Sequence, residues 1–102
     1  MAEVTITTEN FQTEVLESEK PVLVDFWASW CGPCQMLGPL ISEIAKEHPE
    51  IKVGKCNVDE QMQLAAQFNV MSIPFVALFK NGKMVNSTIG YQPKEALLEL
   101  LK

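Results

Sequence analysis

The sequence predicts an α/β fold in which a central mixed β-sheet is flanked by helices on both faces. Residues 22–27 form an apolar run that is short enough for a strand and apolar enough for the middle of a sheet. A helical pattern and a second apolar strand follow, which is the order of a parallel crossover unit. Asn81-Gly82, between two later strand patterns, is typical of a type I′ hairpin and adds antiparallel strands.

The chain before the central strand is expected to contribute one edge strand and one helix. Residues 4–7 alternate weakly between apolar and polar side chains, as a short edge strand does. Thr7 or Thr8 can cap a first helix over 9–17, because a hydroxyl oxygen accepts a hydrogen bond from a first-turn N–H. The apolar side of this helix consists of Phe11, Val15 and Leu16.

The main helix is predicted from Pro33 to about Glu47, because apolar residues recur there at helical spacing. Pro39 inside the helix removes one backbone hydrogen bond and predicts a kink. The inward-facing apolar positions are Leu37, Leu40, Ile41 and Ile44.

The remaining elements alternate between strands and helices and end in a hairpin and a closing helix. They are, in order, a strand over 51–58, a short helix capped by Asp59, strands over 74–80 and 84–89, and a helix that begins at Gln92-Pro93. The predicted order is therefore βαβαβαββα, with residues 1–102 forming a single domain.

Charge and composition exclude some classes of function. The net charge is −5, and the eight cationic side chains are all lysines, scattered along the chain. Nucleic-acid recognition usually depends on clustered lysine and arginine, so no nucleic-acid partner is expected. The hydrophobic fraction of 47% is ordinary for a globular protein, and no apolar run has the length of a membrane span.

The N-terminal region and the cysteine count indicate the cytoplasm. Residues 1–10 are polar and lack the basic and apolar regions of an export signal. Three cysteines, an odd number, fit a reducing compartment better than a secreted disulfide framework. The expectation is a cytoplasmic monomer that does not bind membranes.

Cys31-Gly32-Pro33-Cys34 lies where the central strand ends and the main helix begins. The first turn of a helix has unpaired N–H groups and a partial positive charge, which stabilise a thiolate. Pro33 suits this turn because its fixed φ matches the helix, and Gly32 leaves room for another chain to approach Cys31. Cys31, expected to be the more exposed, is predicted to attack a substrate disulfide, and Cys34 to resolve the mixed disulfide.

Two other interpretations of the cysteine pair are weaker. A disulfide that closes so short a loop would stabilise the fold by only about 2 kcal/mol through chain entropy. A zinc site would combine Cys31 and Cys34 with Cys56 and His48, but His48 lies about 21 Å from Cys34 along one predicted helix. Cys56, in a strand expected to be buried, is predicted to be a core side chain. Redox chemistry is favoured, with no metal and no cofactor beyond the Cys31–Cys34 disulfide.

The segment VDFWASWCGPC, with Ile73-Pro74 and Asn81-Gly82 at the expected distances downstream, resembles the WCGPC type of the thioredoxin family. The resemblance covers essentially the whole chain and implies the thioredoxin fold and the activity of a general protein-disulfide reductase. It gives the attacking role to Cys31 and the resolving role to Cys34. The implied partners are protein disulfide substrates and a flavin-dependent thioredoxin reductase that draws electrons from NADPH.

Asp25 places a carboxylate in the middle of the apolar central strand. An unpaired buried charge costs several kcal/mol, so this group should either hold a proton or find a partner. It can be a buried acid that only holds a loop, or the proton acceptor for Cys34 during resolution. Lys55, in the neighbouring predicted strand, is the candidate partner, and the thioredoxin family carries an Asp and a Lys at these places.

A candidate substrate-docking surface surrounds the cysteine pair. Trp30 is expected to be exposed, whereas Trp27 continues the strand and is expected in the core. Pro74 can simply begin a strand, but the resemblance implies a cis Ile73-Pro74 bond, with Ile73 presenting its backbone to the substrate. The predicted substrate-binding residues are Trp30, Gly32, Pro33, Ile73, Pro74 and Gly90.

Three positions differ from the usual pattern of the family. Gln35 stands where a lysine or arginine is common, Phe75 where a threonine is common, and Tyr91 where a small residue is common. These differences bear on substrate preference and reductase pairing, not on the reaction. Disulfide oxidases and isomerases of the same fold usually carry a histidine at the position of Pro33, so a reductase is favoured. A second role as an assembly subunit stays open.

Overall fold

The computed structural model describes residues 3–102, and it confirms the predicted order of elements. The strands are β1 (Glu3–Thr5), β2 (Val22–Trp27), β3 (Lys52–Asn57), β4 (Phe75–Lys80) and β5 (Lys83–Ile89). The helices are α1 (Gly32–Glu47), α2 (Met62–Gln67) and α3 (Lys94–Glu99), and a π-helical turn (Gln12–Leu16) lies between β1 and β2.

All five strands form one mixed sheet in the order β1-β3-β2-β4-β5. β3 is parallel to both β1 and β2, whereas β4 is antiparallel to β2 and β5 is antiparallel to β4. The run that was predicted to be the central strand, β2, is therefore central. Asn81 and Gly82 join β4 to β5 with φ values of 53° and 80°, the backbone that a type I′ turn requires.

Alternate side chains of β2 point to opposite faces of the sheet, and each face has its own apolar core. Val22, Val24 and Phe26 pack with the π-helical turn and α2. Leu23 packs on the other face with α1 and α3. Helices thus flank both faces, as predicted, and the alternation places Asp25 on the face that α1 covers.

The first predicted helix is shorter than expected. Instead of a helix over 9–17, the chain forms a π-helical turn limited to Gln12–Leu16, with no side-chain cap. The Thr7 hydroxyl accepts a hydrogen bond from the Asn10 N–H at 3.1 Å, and the Thr7 N–H donates to Asn10 Oδ1 at 2.7 Å. This reciprocal pair forms a separate turn, so the helical backbone begins after it.

The predicted cap of α2 is wrong. Gln61, not Asp59, is the residue that precedes this helix, and no side chain caps it. The Asp59 carboxylate instead accepts a hydrogen bond from Trp30 Nε1 at 2.8 Å. Asn57 Oδ1 accepts from the N–H groups of Asp59 and Glu60 at 2.9 and 3.3 Å, which holds the loop before α2. The Asp59 carboxylate, which was predicted to cap α2, therefore binds the Trp30 indole instead.

The main helix, α1, begins one residue earlier than predicted and runs through Pro39 to Glu47. Its buried side, with Leu37, Ile41 and Ile44, packs on the sheet as the helical spacing predicted. Across residues 3–102, no helix has the length and the apolar character needed to cross a membrane.

Candidate active site

The two motif cysteines lie at the start of α1 and are joined by a disulfide, with their Cα atoms 5.2 Å apart. β2 ends at Trp27, and a short turn leads to Cys31, which is the N-cap residue of α1. The Cys34 N–H donates a hydrogen bond to Cys31 Sγ at 3.2 Å. A first-turn N–H of the helix therefore points at this sulfur, an arrangement that stabilises a Cys31 thiolate after reduction.

The two cysteines do not differ in exposure as the sequence predicted. Cys31 is 4% exposed and Cys34 is 3% exposed, so the expectation that Cys31 is the more exposed is wrong for the disulfide form. The carbonyl oxygen of Ile73 lies 3.8 Å from Cys31 Sγ and helps to cover it. The hydrogen bond from the helix backbone, not the exposed fraction, distinguishes the two sulfurs.

Asp25 and Lys55 are paired across β2 and β3, as the sequence suggested. The Asp25 side chain is 1% exposed, and Lys55 Nζ lies 3.4 Å from its Oδ2. Neither carboxylate oxygen has a hydrogen-bond partner among the described residues, so this contact is an ion pair without hydrogen-bond alignment. Burial raises the pKa of Asp25 to about 6, although the nearby Lys55 ammonium lowers it.

The Asp25–Lys55 pair lies beneath the first turns of α1. Gly38 is one turn after Cys34, and a methyl group on Gly38 would lie 3.8 Å from Lys55 Nζ. The same Nζ lies 5.2 Å from the centre of the Trp27 ring, a cation–π contact. Trp27, the last residue of β2 as predicted, is half-buried and packs against the buried cluster of Ala28, Cys31 and Cys34, so it lies at the margin of the core. The face of α1 that carries Cys34 and Gly38 lies over the buried acid.

Three exposed residues next to Cys31 lie where the sequence predicted a docking surface. Trp30 is 70% exposed, and its indole is held by the hydrogen bond to Asp59. Gly32 and Pro33 are exposed, and a Cβ on Gly32 would meet no atom within 4 Å. The space above the motif is therefore open to another chain. The contribution of Asp59 was missed, because a contact across 29 residues leaves no local sequence pattern.

The other predicted docking residues come from two loops that lie far along the chain from the motif. The Ile73-Pro74 bond is cis, which confirms what the family resemblance implied. The Gly90 N–H donates to the Pro74 carbonyl at 2.7 Å, and Gly90 has a φ of 85°, which favours glycine. Ile73 is half-buried and contacts Cys31 through its carbonyl oxygen. The structure thus brings both loops beside the motif.

Comparison with known proteins agrees with this geometry. The family model Thioredoxin matches residues 2–102. The chain belongs to the thioredoxin family. With the Cys31–Cys34 disulfide at its helix start, this member of the family is a dithiol–disulfide reductase.

Curated relatives match nearly the full length of the chain. It is 52% identical over 97 residues to the thioredoxin of Alicyclobacillus acidocaldarius, covering 94% of this chain and 91% of that one. It is 50% identical over 95 residues to the thioredoxin of Rickettsia felis, covering 92% and 90% of the two chains. It is 47% identical over 98 residues to thioredoxin 1 of a Nostoc species, covering 95% and 92%.

The three positions at which this chain departs from the usual thioredoxin pattern have different surroundings. The Gln35 side chain donates to the Ser29 carbonyl at 3.2 Å, which folds it back over the turn before the motif. Tyr91 is 44% exposed beside the docking surface. Phe75 is 7% exposed and packs against Phe26 with ring centres 5.8 Å apart, so it faces the core. Gln35 and Tyr91 are therefore surface residues, whereas Phe75 belongs to the core.

Cys56 and His48 do not join the redox pair of this thioredoxin-family chain. Cys56 is fully buried and unbonded, and burial together with the charge of Asp25 raises the pKa of its thiol to about 12. It is a core residue, as predicted. In the part of the chain that the structure describes, no group of three or more His, Cys, Asp or Glu side chains is placed to hold a metal ion.

Proposed function

We propose that the chain reduces protein disulfides by attack of Cys31 and resolution by Cys34, and that a thioredoxin reductase returns it to the dithiol form. The observation that carries this proposal is the Cys34 N–H directed at Cys31 Sγ at 3.2 Å. A backbone donor aimed at one sulfur lowers the free energy of its thiolate, and the thiolate is the species that attacks a disulfide.

The reaction transfers two electrons in two exchange steps. In the first step, the Cys31 thiolate forms a bond to one substrate sulfur, the substrate S–S bond breaks, and one substrate thiolate leaves. In the second step, Cys34 loses its proton and attacks Cys31 Sγ, so the mixed disulfide breaks and the second substrate thiolate leaves. The protein dithiol is oxidised to the Cys31–Cys34 disulfide, and the two released thiolates take up protons.

Asp25 is the proposed acceptor of the Cys34 proton, either directly or through a water molecule. Three observations support this role. Its pKa is raised to about 6, so the carboxylate is mostly ionised and able to take a proton at neutral pH. Neither oxygen has a hydrogen-bond donor among the described residues, and the pair with Lys55 lies beneath α1. Lys55 is the proposed positioning residue, because its ammonium limits how far burial raises the pKa of Asp25.

The substrate is proposed to dock on an apolar surface that surrounds the disulfide. The exposed Trp30 indole and the open space above Gly32 support this role, and so does the Ile73 carbonyl, which contacts Cys31. The proposed docking surface consists of Trp30, Gly32, Pro33, Ile73 and Gly90, together with Pro74, which is buried and holds the Gly90 loop through its carbonyl oxygen. We further propose that residues 1–102 act as a single domain, as a monomer, in the reducing cytoplasm, where such a dithiol persists.

Turnover with a defined reductant tests the proposed function. Insulin disulfides are reduced with dithiothreitol as the electron source, and aggregation of the freed chains reports the rate. The chain is expected to accelerate the reaction catalytically, and the double variant Cys31→Ser/Cys34→Ser, checked by circular dichroism to be folded, is expected to be inactive. No acceleration by the wild-type chain would contradict the proposal. Oxidation of NADPH in the presence of a purified bacterial thioredoxin reductase tests the reductase separately.

A further inference from the structure

The lysines that are scattered along the sequence are not scattered in space. β2 and β3 both run toward the disulfide, β4 runs away from it, and β5 runs back toward it. Lys20 precedes β2, Lys52 begins β3, Lys80 ends β4 and Lys83 begins β5. All four therefore lie at the strand ends that are farthest from the disulfide.

Of the other four lysines, three are paired with acids and one lies at the far end of α1 from the disulfide. Lys46 lies in the last turn of α1, and Lys94 pairs with acids in the second half of the same helix, at 3.0 and 2.7 Å. Lys102, near the C-terminus, pairs with Glu99 at 3.0 Å. Lys55 is at the disulfide end, but its ammonium is paired with Asp25. The six residues of β2 span about 20 Å, more than the screening length of about 8 Å at physiological ionic strength.

Acidic side chains, by contrast, lie on the loop that holds the Trp30 indole and on the segment that contacts this loop. Asp59 follows β3 and holds Trp30 through its carboxylate at 2.8 Å. The Thr8 N–H donates to Gln61 Oε1 at 2.9 Å, which brings the chain before the π-helical turn against the loop after β3. A shallow surface cavity of about 350 Å³ there is lined by side chains from both segments. Asp59, which binds Trp30, is followed in sequence by Glu60, and Glu60 and Glu9 line this cavity; these three acids are termed the acidic rim.

Within residues 3–102, Lys55 lines a second cavity together with the rim acid Glu60, but its ammonium is paired with the buried Asp25. Gln35, where a lysine or arginine is common in the family, is neutral and donates to the Ser29 carbonyl. Elsewhere the border includes exposed apolar side chains, with Met71 90% exposed two residues before Ile73, and Tyr91 44% exposed after Gly90. Among the described residues, a charged group on an incoming chain therefore meets exposed carboxylates on the side of the Trp30 indole and no unpaired lysine.

We propose that this surface selects protein disulfides flanked by lysine or arginine, with the cationic side chain directed to the acidic rim. The inference rests on the proposed function and adds the class of substrate to it. Electrostatic complementarity at the border of an interface acts mainly on the rate of association. One charge pair separated by about 7 Å in water changes that rate about threefold, so two rim acids change it about fivefold to tenfold at low salt.

The test compares three synthetic peptides that share one intramolecular disulfide loop. A single residue next to the first cysteine is Lys, Gln or Glu. A neighbouring charge also changes the reactivity of the disulfide itself, so each rate is divided by the rate with dithiothreitol, a small neutral reductant. The reduced chain is expected to favour the Lys peptide over the Glu peptide by about fivefold or more at 10 mM salt. The ratio is expected to approach one at 1 M salt, where the screening length is about 3 Å.

Two matched variants separate the rim from the net charge of the protein. Glu9→Gln/Glu60→Gln removes two rim acids without touching the partner of the indole. Glu17→Gln/Glu19→Gln removes two exposed acids beside Lys20, at the opposite end of the sheet, and changes the net charge equally. The preference for the Lys peptide is expected to fall at least threefold in the first variant and to persist in the second.

Three results would overturn the inference. Equal normalised rates for the Lys and Glu peptides at low salt would show that the charge next to the substrate cysteine does not affect the rate of reduction. An equal loss of preference in both double variants would assign the effect to net charge and not to the rim. Failure to reduce even the Gln peptide would overturn the proposed function, and this inference with it, whereas normal reduction of all three without preference would overturn this inference alone.

Discussion

Replacing Asp25 with alanine is expected to make the oxidised protein more stable at pH 8 while slowing its reaction. The carboxylate is 1% exposed and its oxygens have no hydrogen-bond donor among the described residues. Burial therefore penalises the ionised form more than the ion pair with Lys55 favours it, and the pKa of Asp25 rises from the ordinary 3.8 to about 6. Removing the carboxylate removes that penalty wherever the group is ionised.

The direction of the pH dependence follows from proton linkage. Between pH 4 and pH 6, the folded state binds more protons at Asp25 than the unfolded state does, so the free energy of unfolding falls as pH rises. The difference between 3.8 and about 6 corresponds to a penalty of about 3 kcal/mol that is fully present above pH 6. The space left by the carboxylate costs about 1 kcal/mol in lost packing. Asp25→Ala is therefore expected to gain about 2 kcal/mol at pH 8 and to lose up to about 1 kcal/mol at pH 4, where the packing cost remains and the penalty is nearly absent.

Guanidinium chloride unfolding of the oxidised protein at pH 4, 6 and 8 measures this difference. Glu19→Ala, which removes an exposed carboxylate at the far end of the sheet, serves as the matched control and is expected to change the midpoint little at any pH. Single-turnover reduction of a peptide disulfide by Asp25→Ala is expected to slow after the mixed disulfide has formed. A lower unfolding midpoint for Asp25→Ala than for the wild type at pH 8 would refute the reasoning and show that the pair with Lys55 stabilises the fold.

Three further substitutions test other parts of the site. Gln35→Lys places a cation near the motif and is expected to lower the pKa of the Cys31 thiol. Thiolate absorbance against pH measures this pKa. An unchanged or higher midpoint would place residue 35 too far from the Cys31 sulfur. Lys55→Met is expected to raise the pKa of Asp25 above about 6, which NMR titration of the Asp25 carboxyl carbon measures. A titration midpoint at lower pH than in the wild type would contradict the effect assigned to the Lys55 ammonium. Asp59→Ala removes the hydrogen-bond acceptor of the Trp30 indole and is expected to raise KM for protein disulfides severalfold with kcat little changed. Asp59→Asn retains an acceptor and should restore KM. An unchanged KM in Asp59→Ala would show that this hydrogen bond does not position the indole.

The fold was predictable because its strongest signals are local. The apolar run of β2, the helical spacing in α1 and the turn at Asn81-Gly82 each depend on neighbouring residues, and together they define most of the sheet. The pairing of Asp25 with Lys55 was also accessible, because two polar residues in adjacent buried strands have few other partners. These features need no knowledge of the rest of the chain.

The errors come from contacts between residues that are far apart in sequence. Asp59 was assigned to a helix cap but binds an indole 29 residues earlier. Cys31 was expected to be exposed, but the Ile73 carbonyl, 42 residues later, covers its sulfur. In each case a partner from another element decides the surroundings, and no local pattern reports it.

Trapping the mixed disulfide tests most directly the claim that Cys31 attacks and Cys34 resolves. Reduced Cys34→Ser and reduced Cys31→Ser are each mixed with one peptide disulfide, quenched with acid, and analysed by intact mass and peptide mapping. Cys34→Ser is expected to accumulate a one-to-one adduct through Cys31, and Cys31→Ser is expected to accumulate little adduct in the same time. A rapid adduct at Cys34 in Cys31→Ser, with none in Cys34→Ser, would contradict the assigned roles.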